Sequence, residues 1–142
     1  MARKQEPKSE QLKQRIRGAG LKVTGPRAAV LKVLEQSDAP VSHADVVAAV
    51  ATIGATEHVD ASTVYRNLVD LEGAGLVHRL DVGDHTWRYE LKKEDDQHAH
   101  FVCGDCGVVE CLPEGSVSVK GVPGRVGRVA SVLLKGSCPD CG

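Results

Sequence analysis

Apolar residues recur at helical spacing four times in the first half of the chain. In SEQLKQRIRGA (9–19), Leu12, Ile16 and Ala19 fall on one face behind Ser9, a possible cap. GLKVTGPR reads as a connector. Pro26 then suits the first turn of a second helix, where a missing N–H is not needed, and Ala29, Val30, Val33 and Leu34 make its stripe. DAPVSHAD reads as a turn. Ser42 with Asp45 three residues on is a capping-box-like pair, and Val46, Val47, Val50 and Ile53 line the third helix. GATEHVD interrupts, and Asp60 or Ser62 caps ASTVYRNLVDLEGAG. There Val64, Leu68 and Leu71 turn inward, while Ser62, Tyr65, Arg66 and Val69 turn outward. The period then changes: LVHRLDVGDHTWRYEL predicts two short strands around Gly83-Asp84, a hairpin turn.

Helices followed by a hairpin is the order of a winged helix-turn-helix. The fourth helix would enter the major groove, presenting Tyr65 and Arg66 with Ser62 and Thr63 in the same first turns. The competing reading is a small helical domain on which Tyr65 and Arg66 are ordinary surface residues. Charge bears on this choice. The net charge is −1 over 142 residues, yet residues 1–40 hold nine Lys/Arg against four Asp/Glu, leaving +5 there and −6 elsewhere. Such asymmetry fits nucleic acid at one end, with Arg15 and Arg27 as further DNA-binding candidates, although a solvated basic helix face has the same composition. No apolar run approaches the ~20 residues of a membrane span. The basic start leads into a polar helix and not into the apolar stretch of a signal peptide, so a soluble, cytoplasmic protein is expected.

KKEDDQ (92–97) reads as a linker between a DNA-binding domain over 1–91 and a second domain over 98–142. All five cysteines lie in the second. In a reducing compartment they point to metal or redox chemistry, and an odd count leaves one without a pair. Cys103-x-x-Cys106 and Cys138-x-x-Cys141 each sit in a glycine-containing turn. Four thiolates close a tetrahedral zinc site of the structural kind, and a domain with so little core needs one. The alternative is two independent redox dithiols, but no βαβ pattern of the thioredoxin type surrounds either pair. His98, His100 and Cys111 remain. If HAHFVC is a strand, the two histidines share a face, and GVVECL can bring Cys111 back beside them. That makes a second metal site. The bland alternative is a buried, inert Cys111.

These motifs resemble the ferric-uptake-regulator (Fur) superfamily of metal-responsive repressors. LKVTGPRAAVL (21–31) is similar to its L-x-x-T-x-P-R entry, and STVYRNLVDLEGAGLVHRL (62–80) to its recognition helix. HAHFVCGDCGVV resembles its H-x-H-x-x-C-x-x-C-G hinge, and GSCPDC its closing C-x-x-C. The resemblance implies an α+β protein: an N-terminal winged helix-turn-helix plus a small C-terminal β-rich, zinc-stabilised dimerisation domain. It implies a homodimer on a palindromic double-stranded DNA operator, with a divalent metal at the hinge setting the angle of the DNA-binding domains. His98 and His100 match the hinge histidines, and Glu90 matches a ligand carboxylate. Cys111 stands where the family has Glu or Asp. His78 matches a column that carries a ligand in zinc-sensing members. His43 lies near, but offset from, a family histidine that aligns at Pro40, and His85 is a further candidate. The family's histidine in the last strand falls near Ala130, so a further C-terminal site is expected to be absent. In place of the family's dimerisation helix stands PEGSVSVKGVPGRVGRV, whose glycines and Pro123 oppose a full helix.

Imidazoles with one thiolate favour zinc over Fe(II) or Mn(II). The leading expectation is therefore a zinc-sensing repressor, followed by an iron-responsive regulator and then a peroxide sensor. From other classes come a thiol-based redox protein acting through Cys111, and a metal-dependent hydrolase. The latter needs a general base and a cleft for which the sequence has no signal, so a non-enzyme is expected.

Overall fold

Each helix begins where a side chain can satisfy its orphan N–H groups. The computed structural model describes residues 8–53, 59–92, 99–127, 129 and 131–142. After α1 (Lys8–Gly18), Thr24 caps α2 (Gly25–Gln36) by accepting from the Arg27 N–H at 3.2 Å, a role the connector reading of GLKVTGPR overlooked. Before α3 (His43–Thr52) both arms of the capping box form: Asp45 N–H to Ser42 Oγ at 3.2 Å, and Ser42 N–H to Asp45 Oδ2 at 3.1 Å. Asp60, not Ser62, caps α4 (Ala61–Gly73), accepting from the Thr63 N–H at 2.7 Å. That helix ends in a Schellman arrangement. Gly75, at φ 80°, lets Leu76 N–H reach back to Leu71 O and its own N–H to Glu72 O.

The chain divides into two compact units, Met1–Lys93 and Glu94–Gly142. In the first, α2 packs against α1, α3 and α4. Ile16, Val30, Leu31, Val46, Val64, Leu68 and Leu71 form the centre of its core. Val77 of β2 (Val77–Asp81) and Tyr89 of β3 (Trp87–Leu91) join that core from the wing. Two features depart from expectation. DAPVSHAD is more than a turn: Val41–Ser42 forms β1, which pairs with Tyr89 and Arg88, so the wing is a three-stranded antiparallel sheet ordered β1-β3-β2. The β2–β3 connection is also no two-residue turn. It runs over 82–86, with Gly83 at φ 90° and His85 at φ 63°. Asp81 accepts from the Gly83 N–H and Asp84 from the Thr86 N–H, and these two side-chain turns favour the longer loop. Arg88 clamps Asp84 at 2.8 Å and holds its carboxyl below the usual range.

The second unit is a sheet ordered β5-β4-β6. β4 (His100–Cys103) pairs antiparallel with β5 (Val109–Cys111) and parallel with β6 (Leu133–Gly136). Among the described residues between β5 and β6, the one helical turn is a short 3₁₀ turn, Gly124–Val126, flanked by Gly121 and Gly127 at positive φ. The full helix that its glycines oppose is absent from this stretch. No described helix is long and apolar enough to cross a membrane.

The alternation on α4 yields a direct test. Leu68 is fully buried and its neighbour Val69 is 45% exposed. Leu68→Ala should lower the unfolding free energy by about 3 kcal/mol in a urea titration, whereas Val69→Ala should change it by less than about 0.5 kcal/mol.

Candidate metal centres and nucleic-acid interface

Two turns of the same build face each other at one end of the second unit. Cys103 closes β4, and the chain folds back at once through Gly107 N–H to Cys103 O. This aims backbone donors at sulfur. Cys103 Sγ accepts from the N–H groups of Asp105 (3.4 Å), Cys106 (3.5 Å) and Cys138 (3.3 Å). The Cys138–Cys141 turn repeats the fold-back with Cys141 and Gly142 N–H to Cys138 O. The four Sγ atoms lie within 4.8 Å of one another, and those of Cys106 and Cys138 are 3.8 Å apart. A zinc ion with bonds of ~2.3 Å to four sulfurs needs sulfur–sulfur edges of about 3.8 Å, so the set fits a closed tetrahedral site. Electrostatics within the set are uneven. The Cys106 and Cys138 N–H groups draw the Cys103 thiol down to about 6, while Cys138 and Cys106 push Cys141 up to about 12. A dication held by the four sulfurs would supply the charge that lets all of them remain thiolates. A link that the sequence did not signal ties the two turns together: Ser137 Oγ donates to Asp105 Oδ2 at 2.7 Å.

The parity of β4 separates a second set from the first. His100 and Cys103 are three residues apart, so their side chains leave opposite faces of the strand. His100 is paired directly with Cys111. Leu112 N–H bonds Ala99 O and Cys103 N–H bonds Val108 O, which makes His100/Cys111 a non-hydrogen-bonded pair, the kind whose side chains lie closest. An imidazole and a thiol thus stand side by side, His100 buried and Cys111 half-buried. His98 lies outside the described residues. Glu90 is a buried acid on β3, directly opposite His78 of β2.

In the first unit, α4 has two chemically distinct faces. Val64, Leu68 and Leu71 are buried, while Ser62, Tyr65, Arg66 and Val69 are exposed, Tyr65 by 50%. Asn67 turns inward and donates to Thr63 O, and Thr63 is half-buried. A helix with a capped start and an outward tyrosine–arginine pair is suited to a nucleic-acid groove.

The model of the ferric uptake regulator family matches residues 18–119. The chain belongs to this family. It is 43% identical over 98 residues to the ferric uptake regulation protein of Legionella pneumophila, covering 68% of this chain and 70% of that protein. It is 33% identical over 134 residues to the transcriptional regulator FurA of Mycobacterium tuberculosis, covering 90% and 88%. The crystal structure of the Vibrio cholerae ferric uptake regulator superposes with a TM-score of 0.67 at 28% identity, over 89% of this chain and 98% of that one. As a member of the family the protein is a metal-responsive transcriptional regulator.

Within this family member, several candidate residues occupy places the sequence did not foretell. Arg27 is not a free cation for DNA. Its side chain is only 14% exposed, with Nη2 on Asp70 Oδ2 at 2.8 Å and Nη1 on Lys22 O at 2.7 Å. It braces the start of α2 against α4, because an arginine one turn from a helix start can reach a carboxylate on the packed neighbour. Arg15 is likewise engaged, donating to Lys92 O at 3.1 Å. His43, His78 and His85 join no group of metal-ligating side chains among the described residues. His43 Nε2 is 2.8 Å from Ala61 O, and His85 sits exposed in the left-handed bend of the wing loop.

The four-thiolate set should hold one zinc through mild chelation, as measured by metal analysis of the purified protein. Cys138→Ser should lose that equivalent and unfold the second unit, because ligand binding and folding are there one equilibrium. A folded variant with full zinc content would contradict the assignment.

Proposed function

We propose that the protein is a zinc-responsive repressor that binds a palindromic double-stranded operator as a homodimer in the cytoplasm. The observation that carries the choice of metal is the direct pairing of His100 with Cys111. The sensing set in this reading is His98, His100 and Cys111, with Glu90 contributed from the end of the wing. Thiolate and imidazole donors move preference toward zinc, and the second divalent ion is accordingly zinc in preference to iron or manganese. Membership in the ferric uptake regulator family supports regulation by metal, and the outward Tyr65 and Arg66 support DNA contact through α4. Metal bound preferentially to the DNA-competent arrangement raises operator affinity by the difference in metal affinity between the two arrangements, and operator raises metal affinity equally.

An iron-responsive regulator is the second reading. The Legionella pneumophila relative is named for ferric uptake, and Glu90 offers a hard oxygen donor. Cobalt substitution separates the two. In the zinc reading, the second equivalent of cobalt produces a thiolate-to-metal charge-transfer band that disappears in Cys111→Ser, and metal-dependent DNA binding weakens or changes its metal preference. An unchanged spectrum and zinc response would remove Cys111 from the site. The redox-protein alternative predicts instead that Cys111 reacts with a thiol reagent while metal is bound.

The roles on α4 are tested separately. Arg66→Ala should weaken binding to all duplexes and reduce the slope of log K against log salt by about one, the signature of a lost phosphate contact. Tyr65→Ala should relax sequence preference instead. Folded variants of both that bind as the parent does would exclude α4 from the interface.

A further inference from the structure

His43 is the first residue of α3, and its position is held from two sides. Ser42 before it forms the capping box with Asp45 and also pairs with Arg88 through β1. From there the imidazole reaches the first turn of α4, with Nε2 2.8 Å from Ala61 O. A carbonyl oxygen only accepts, so Nε2 carries the hydrogen and donates it. Ala61 is the first residue of α4, and its carbonyl is the helical acceptor for the N–H of Tyr65, four residues on. The same imidazole also meets the Tyr65 ring edge to face, with centroids 5.7 Å apart and planes at 78°. One side chain therefore grips the peptide that anchors Tyr65's backbone and restrains the ring that Tyr65 presents to solvent.

We propose that His43 is a positioning residue for sequence reading: it fixes the Tyr65 ring before DNA arrives. The proposal rests on the reading of α4 as the DNA-contacting helix. A half-exposed tyrosine free to change rotamer would lose that freedom on docking, and a ring already held by His43 loses less of it. The gain applies only where Tyr65 makes a fitted contact, so it raises specificity more than general affinity.

The test uses the full-length, metal-loaded protein. The probes are a duplex enriched by the parent protein from a randomised pool and a scrambled duplex of the same composition. His43→Ala should weaken binding to the enriched duplex by about five- to tenfold, the scale of one lost hydrogen bond and ring contact, while the scrambled duplex shifts by less than about twofold. In a Tyr65→Ala background the same substitution should have almost no further effect, because it acts through Tyr65. His43→Gln, whose amide can donate in place of Nε2, should recover most of the loss; His43→Phe, which keeps a ring but donates nothing, should not. Equal losses on both duplexes, additive losses with Tyr65→Ala, or loss of a metal equivalent would each overturn the assignment. If Tyr65→Ala weakens the enriched duplex and His43→Ala does not, His43 alone is rejected. If Tyr65→Ala binds the enriched duplex as the parent does, the reading of α4 fails and the role of His43 falls with it.

Discussion

The convergence of four cysteine sulfurs is the constraint on which the second unit depends. Among the described residues its buried apolar side chains are few: Ala99, Val102 and Val109, with Cys103 and Cys138. Three strands of three or four residues joined by a long irregular crossover do not bury enough surface to offset the entropy of ordering it. A metal held by Cys103 and Cys106 at the end of β4 and by Cys138 and Cys141 just beyond β6 would close that crossover at its base. The parallel pairing of β4 with β6 puts the two turns next to each other, and the Ser137–Asp105 hydrogen bond holds them in register. With β4 in place, a one-residue slip of β5 would turn its buried face outward, and the register it keeps sets Cys111 against His100. The structural site is thus the support for the candidate sensing pair on the other face of the same strand.

The first unit divides its labour in a similar way along one helix. The inward residues of α4 make the core, and its outward residues face solvent. The brace from Arg27 to Asp70 and the contact from His43 to Ala61 fix the helix at both ends from neighbouring elements. Exposed ion pairs contribute little to stability. Arg27 differs because its side chain is largely buried, so the guanidinium is placed by packing as much as by charge. In its proposed DNA-contacting role α4 would gain from such fixing, because any freedom it retained would be lost on docking.

Much of this was legible in the chain itself. Period-3.6 stripes marked the helices, because an amphipathic helix has to bury one face wherever its partners lie. Ser42 was readable as a cap, and Asp60 as one of two candidates beside Ser62, because caps act within three positions of themselves. The two C-x-x-C turns pointed to one converging set of sulfurs, because the chemistry of four thiolates is independent of the route between them. The strand parity that sets His100 on the face opposite Cys103 is also local.

What the chain could not disclose were pairings between segments distant in sequence. Thr24 and Arg27 look alike as polar residues near a helix start, yet one caps and the other crosses to Asp70, 43 positions away. Val41–Ser42 reads as turn because a two-residue strand has no periodicity to detect; only the proximity of Tyr89 and Arg88 makes it a strand. His43 offers itself equally as ligand, surface residue or brace until α4 brings Ala61 and Tyr65 beside it. Sequence by itself determined which residues must be buried and which chemistry is available, because hydrophobicity, capping and ligand type are properties of single residues and their near neighbours. Tertiary structure alone decided which of those groups meet, because a hydrogen bond or a ring contact depends on a separation of a few ångströms that chain distance does not encode.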